Sequence, residues 1–249
     1  KLICGEDIMN TDMQKIRDSI KSDGYVCLQT SESTQLALNA KQEYLALIPH
    51  LILHATSEQF SRGQLLEQPW RKMAIGSVNG LGESYAQFLI TTYFSERNIA
   101  TPNIIKYFNY LIQFRNSILD VDDDFGKWDS DQKYWNASRI HHYPQGGGFM
   151  AEHHDTYFPM VLEQSQIPFL QVMGLMSSRG LDFKSGGGFI VQKNGTRLFF
   201  EDDNSIGKIV MFDGSIRHGV ADVDTDKVFD LQGTQGRYAA FVNVYEKRD

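Results

Sequence analysis

Residues 138–155 read Ser-Arg-Ile-His-His-Tyr-Pro-Gln-Gly-Gly-Gly-Phe-Met-Ala-Glu-His-His-Asp. Two short stretches, 138–143 and 148–153, flank a proline and the triplet Gly146-Gly147-Gly148, which is the composition of two strands joined by a tight turn. His141, His142, His153 and His154 fall close together and run straight into Asp155. In an extended chain successive side chains point to opposite faces, so His153 and Asp155 share one face and His154 takes the other. On the preceding strand Arg139, His141 and Tyr143 share a face by the same rule.

Downstream of this segment the pattern stays that of short strands punctuated by glycine, with strands expected at 169–176, 188–192, 197–200, 208–212, 217–220 and 238–245. About eight antiparallel strands at this spacing predict an α+β protein with a mainly β core, a jelly roll or double-stranded β-helix with helices packed on one outer face. The triplet Gly186-Gly187-Gly188 is read, like the first, as a turn or bulge. No Lys-Ser or Lys-Thr pair follows either triplet, which argues against a phosphate-cradling loop.

Upstream, the chain reads as mainly helical. Met13, Ile16 and Ile20 recur at helical spacing after Asn10 or Thr11 as a cap, and Gly24 ends the run. A strand is expected at 25–28. Leu36, Ala40, Tyr44, Leu47 and Ile48 mark one face of a second helix over 33–48. Thr101 as cap, Pro102 at the first helical position and a stripe of Ile104, Ile105, Phe108, Leu111, Ile112 and Leu119 mark a third. The acidic run Asp120, Asp122, Asp123 and Asp124 reads as a solvated turn. One domain over 1–249 is expected, with 1–137 supporting and covering a core formed by 138–249.

Composition sets outer bounds. Hydrophobic residues at 41% and charged residues at 22% are ordinary for a domain with a buried core, so disordered, collagen-like and disulfide-scaffold classes are excluded. A net charge of −7 opposes binding to phosphate backbones, so no nucleic-acid partner is expected. Cys4 and Cys27 form no CxxC pair, which fits a reducing cytoplasm. No window approaches the roughly 18 consecutive apolar residues of a membrane span, so no membrane partner is expected.

An imidazole and a carboxylate side by side need a third ligand to hold a metal. His50 and His54 lack metal-type neighbours, whereas His218 opens a strand after Lys208-Ile-Val-Met-Phe-Asp-Gly and is the candidate. Two histidines and one carboxylate on one face of an octahedron, the other face open, is the arrangement of non-haem Fe(II) oxygenases. A single histidine more often serves as a hydrogen-bonded core or surface residue; here the order of elements outweighs that reading.

The sequence resembles the Fe(II)/2-oxoglutarate-dependent oxygenase superfamily over about residues 138–246. The resemblance rests on His153-His154-Asp155 as an HxD motif, His218 as the distal histidine within Phe-Asp-Gly-Ser-Ile-Arg-His-Gly-Val, and Gly236-Arg237-Tyr238 opening the last strand. It implies that His153, Asp155 and His218 bind Fe(II) and that Arg237, with Tyr143, holds the distal carboxylate of 2-oxoglutarate. Fe(II), 2-oxoglutarate and O2 are then required, and the implied reaction is hydroxylation of an unactivated C–H bond with succinate and CO2 as co-products. Many relatives carry Arg-x-Ser where this chain has Arg237-Tyr238-Ala239, so the serine hydroxyl is missing. Related halogenases lack the ligand carboxylate, and Asp155 argues against halogenation.

The substrate is expected to be a small molecule, derived from an amino acid or a natural product, met by Arg139, His141, Gln171 and Tyr157. Gln171 is a polar residue in an apolar strand and needs a partner if buried. Tyr85, Gln87 and Phe88 are candidates to line the pocket from the upstream half, and Arg217 is expected to point away from the metal. Two other readings stand beside this one. A peptide side-chain hydroxylase of the same superfamily predicts an open groove. A non-catalytic jelly-roll module predicts no metal-dependent gain in 2-oxoglutarate affinity.

Overall fold

The computed structural model describes residues 2–4, 13–80, 83–98, 100–131, 133–155 and 169–247. Four α-helices are α1 (Met13–Asp23), α2 (Ser31–Leu47), α3 (Arg62–Glu67) and α4 (Pro102–Leu119). The strands are β1 (Leu2–Cys4), β2 (Tyr25–Gln29), β3 (Leu53–His54), β4 (Trp70–Gly80), β5 (Glu83–Tyr93), β6 (Tyr134–Pro144), β7 (Gly148–His153), β8 (Leu170–Leu175), β9 (Gly187–Val191), β10 (Arg197–Phe199), β11 (Ile209–Asp213), β12 (His218–Val223) and β13 (Gly236–Glu246). The pairing order is β1-β2-β11-β8-β13-β6-β5-β7-β12-β9-β10, with β4 on β5 and β3 on β4. Two pairs, β1–β2 and β3–β4, are parallel and the other described ladders are antiparallel.

The sheet closes on itself. Gly188 on β9 and Arg237 on β13 stand far apart in the pairing order, yet a Cβ on Gly188 would lie 2.6 Å from the Arg237 guanidinium. Strand β5 turns the corner, pairing β6 through residues 90–93 and β7 through 87–88. The result is the expected double-stranded β-helix, in which β2, β11, β8, β13 and β6 form one wall and β7, β12, β9 and β10 the other.

Period-two alternation sorts side chains between outside and inside of the first wall. Val172, Ile209, Met211, Tyr238, Ala240 and Val242 join α1, α2 and α4 in one large core. The alternate residues Met173, Val210, Phe212, Ala239 and Phe241 pack inside. Each fully buried leucine, isoleucine or phenylalanine of the helix–sheet layer contributes about 1.5–3 kcal/mol. The helices therefore cover one outer face, as the sequence predicts. No helix among the described residues is long and apolar enough to cross a membrane.

Three local expectations need correction. The upstream part is less purely helical than its apolar spacing predicts, because it also carries the long hairpin β4–β5. Helix α2 begins at Ser31 rather than Ser33: Thr30 is its cap and forms a reciprocal capping box with Ser33. Thr101 does sit at the cap of α4, but its hydroxyl donates to Asn98 O instead of accepting from the helix. The free Ile104 amide is satisfied by Glu43 of α2 at 2.8 Å, so the cap is supplied by a neighbouring helix. Asn10 and Thr11, expected to cap α1, lie outside the described residues.

The first glycine triplet forms a turn, as expected, whereas Gly187 and Gly188 of the second lie within β9. Gly146 and Gly147 have φ of +87° and +102° between β6 and β7, a region L side chains rarely adopt. Their turn folds β7 back between β5 and β12, where His153 meets Tyr85 and His218.

Candidate metal centre and its cavity

His153 ends β7 and His218 begins β12, and the two residues face each other in the ladder between those strands. Their rings lie 4.4 Å apart. Asp155 is two residues beyond the end of β7, where its amide donates to Gly214 O at 2.8 Å. That bond keeps the chain extended past the strand, so Asp155 stays on the face of His153. The ligand-type atoms of His153, Asp155 and His218 all fall within 4.8 Å of one another, and all three residues are buried.

Each imidazole is oriented by its backbone. Nδ1 of His153 lies 2.8 Å from Ala151 O, and Nδ1 of His218 lies 2.8 Å from Ile216 O. A carbonyl can only accept, so both rings carry their proton on Nδ1 and turn the Nε2 lone pair inward. The inward nitrogens stand 3.8 Å and 3.6 Å from Asp155 oxygens. Burial pushes His218 down to about 4, which keeps it neutral and able to ligate. Tyr85 of β5 stacks on His153 at 4.0 Å.

The Asp155 carboxylate is itself held. Its Oδ2 accepts from Gln171 Nε2, and Gln171 Oε1 accepts in turn from Asn243 Nδ2 at 2.6 Å. Its Oδ1 is buried and has no hydrogen-bond partner. An unpartnered buried carboxylate oxygen beside two inward lone pairs is an all-acceptor set, and a divalent cation satisfies it. The residues present thus fit a metal ion.

The centre opens into a cavity of about 470 Å³ between the two walls, within the usual size of small-molecule sites. Arg237 is fully buried there, its Nε donating to Glu201 Oε1 at 2.5 Å and its guanidinium 5.1 Å from the Tyr143 ring. Its Nη1 has no partner. A buried guanidinium nitrogen without an acceptor, beside the Tyr143 ring, fits a carboxylate. Arg139 and His141 line the same cavity, as the face they share with Tyr143 predicts, and Gln171 of β8 lines it as well. Gln171 nevertheless spends its amide oxygen on Asn243 and an N–H on Asp155, so it serves the metal ligand rather than standing free for substrate. Tyr157 lies outside the described residues.

Of the upstream candidates, Tyr85 and Gln87 line the cavity, from a strand and not from a helix. Phe88 points to the other side and packs edge-on against Phe229. Arg217 points away from the metal and pairs with Glu152 at 3.0 Å at the surface. Glu201 and Asn243 were not anticipated. Asn243 interrupts the apolar run of β13 and could have been noticed for that; nothing around Glu201 distinguishes it from the acidic residues that follow.

No family model matches the sequence, and no curated protein matches it. Solved structures do match by fold. A Pseudomonas putida prolyl-4-hydroxylase superposes with a TM-score of 0.55 at 12% identity, covering 95% of this chain and 99% of that one. A putative oxygenase from Shewanella oneidensis gives 0.54 at 14% identity, covering 98% and 89%. A Trichoplax adhaerens prolyl hydroxylase, in complex with a hypoxia inducible factor oxygen degradation domain peptide fragment, gives 0.53 at 13% identity, covering 94% and 89%. Over nearly its whole length the chain has the fold of the 2-oxoglutarate- and Fe(II)-dependent oxygenases.

Proposed function

We propose that the protein is an Fe(II)- and 2-oxoglutarate-dependent oxygenase, acting as a single domain, that hydroxylates a C–H bond of a small molecule. The observation that carries this reading is the pairing of two unmet needs in one cavity: an acceptor-only cluster at His153, Asp155 and His218, and a donor without acceptor at Arg237 Nη1. The first suits Fe(II); the second suits the distal carboxylate of 2-oxoglutarate. Bound there, iron and cosubstrate supply the oxidising chemistry, in which R–H, O2 and 2-oxoglutarate become R–OH, succinate and CO2.

The chain's own residues bind and orient. His153, Asp155 and His218 hold the ion, and the Ala151 and Ile216 carbonyls fix the imidazoles. Gln171 and Asn243 fix the Asp155 carboxylate so that Oδ1 faces inward. Arg237 clamps the cosubstrate, with Tyr143 adding a donor. His141 sits with Nε2 accepting from Arg139 Nε at 3.0 Å and Nδ1 3.3 Å from the Tyr143 hydroxyl. A neutral His141 with its proton on Nδ1 donates to Tyr143, so the phenol proton, held only by the weak acceptor Met150 Sδ, would be available to the cosubstrate. A substrate site set in a cavity of small-molecule size between two sheet walls supports a small molecule over an extended peptide, and the carboxylate ligand supports hydroxylation over halogenation.

Succinate release from 2-oxoglutarate under air, with and without Fe(II), tests the reading. It should require iron and vanish in His153→Ala, while Arg237→Ala should raise the 2-oxoglutarate requirement more than the substrate requirement. Undiminished succinate from His153→Ala would defeat the metal assignment.

A further inference from the structure

The cavity holds two guanidiniums with opposite electrostatic standing. Arg237 has the Glu201 carboxylate against it. Arg139 has none: among the described residues no carboxylate lies within the 4.0 Å of an ion pair. Its direct partners, Tyr245 among them, are neutral, and Asp155 favours its charge only from a longer distance. Nε donates to His141, Nη1 donates to Ala137 O at 3.0 Å, and the guanidinium lies 5.3 Å and 5.6 Å from the Phe241 and Tyr245 rings. His141 is held well below its ordinary value, by burial first and then by the two guanidiniums, and so carries no charge. Arg139 is 7% exposed and lines the cavity. A guanidinium always carries its charge, and a buried charge without a counter-charge is costly.

We propose that Arg139 is the subsite for a carboxylate on the substrate, so that the substrate is a small, largely apolar acid. This rests on the reading of the cavity as the site of a 2-oxoglutarate-dependent oxygenase. Strand register separates the two guanidiniums: Tyr143 is opposite Arg237, whereas Arg139 is opposite Phe241, four residues along β6. That is roughly 13 Å of strand, enough to give cosubstrate and substrate carboxylates different partners. One unpaired guanidinium balances one negative charge. A phosphate monoester would bring close to two. The Phe241 and Tyr245 rings lie beside the cation and offer apolar surface to the body of the acid.

Binding measured with Mn(II) in place of Fe(II) tests this without turnover. Benzoate, phenylacetate and octanoate, each against its primary amide, are titrated into protein loaded with Mn(II) and 2-oxoglutarate. Wild type should bind at least one acid about tenfold more tightly than its amide. Arg139→Gln should lose that preference, and Arg139→Lys should recover part of it, while any fall in 2-oxoglutarate affinity, passed on through His141 and Tyr143, stays smaller than the fall in acid affinity. Equal binding of acids and amides, or no acid binding at millimolar concentration, overturns the proposal. So does an Arg139→Gln protein whose 2-oxoglutarate affinity falls more than its acid affinity, which would assign Arg139 to the cosubstrate. Should Arg139→Gln fail to fold, the wild-type preference for acid over amide and its change in Arg139→Lys still decide. Mn(II)-dependent 2-oxoglutarate binding, lost in Arg237→Ala, reports separately on the oxygenase reading.

Discussion

At the scale of single residues, the centre works by giving each polar atom a fixed task. Asp155 accepts from Gln171 on one oxygen and keeps the other free. Gln171→Leu removes that restraint while preserving volume, and it should weaken Mn(II) binding by about 10–100-fold, read by equilibrium dialysis. Unchanged affinity would mean that the Gly214 contact alone orients Asp155. How much of this was legible follows from sequence distance. His153, Asp155 and the need of Gln171 for a partner could be read from alternation and polarity within single strands. The partners could not: Asn243 lies 72 residues from Gln171 and Glu201 lies 36 residues from Arg237. Each contact exists only because the sheet closes.

At the scale of elements, helices were readable because α1, α2 and α4 bury one stripe against the sheet and leave the other in water. The hairpin β4–β5 was not. Its inner face carries Tyr85, Gln87, Leu89, Thr91 and Tyr93, a polar and apolar mixture suited to a cavity wall. Phe88 and Ile90 alternate with them on the other face, so neither face is uniformly apolar and no clean period of two appears. The caps show a similar limit. Thr30 and Ser33 lie together in sequence, whereas Glu43 reaches α4 only through packing. Thr30→Ala should lower stability by about 0.5–2 kcal/mol in chemical denaturation without altering Mn(II) affinity. A change in metal affinity would show that α2 is coupled to the centre through the sheet.

At the scale of the whole molecule, the protein buries neutral histidines on both faces of β6, His141 on one and His142 on the other. His142 is stacked on Tyr238, its Nε2 donates to Gln235 O at 3.0 Å, and burial pushes it down to about 4. The unfolded chain binds this proton from near pH 6.5, while the folded protein resists it until about pH 4. Stability from this group is therefore full above pH 6.5 and is lost as the pH falls toward 4, by about 3 kcal/mol. His142→Gln should flatten the fall in denaturation free energy across that window; an unchanged slope would place the titration elsewhere.

The same closed sheet that hides these groups also brings His153, Asp155 and His218 to one point. Anomalous diffraction at the manganese edge, from crystals grown with Mn(II), addresses that convergence directly. A single peak bonded to Nε2 of both histidines and to Asp155 Oδ1 is the predicted result. No peak there, or a peak held by other residues, would contradict it.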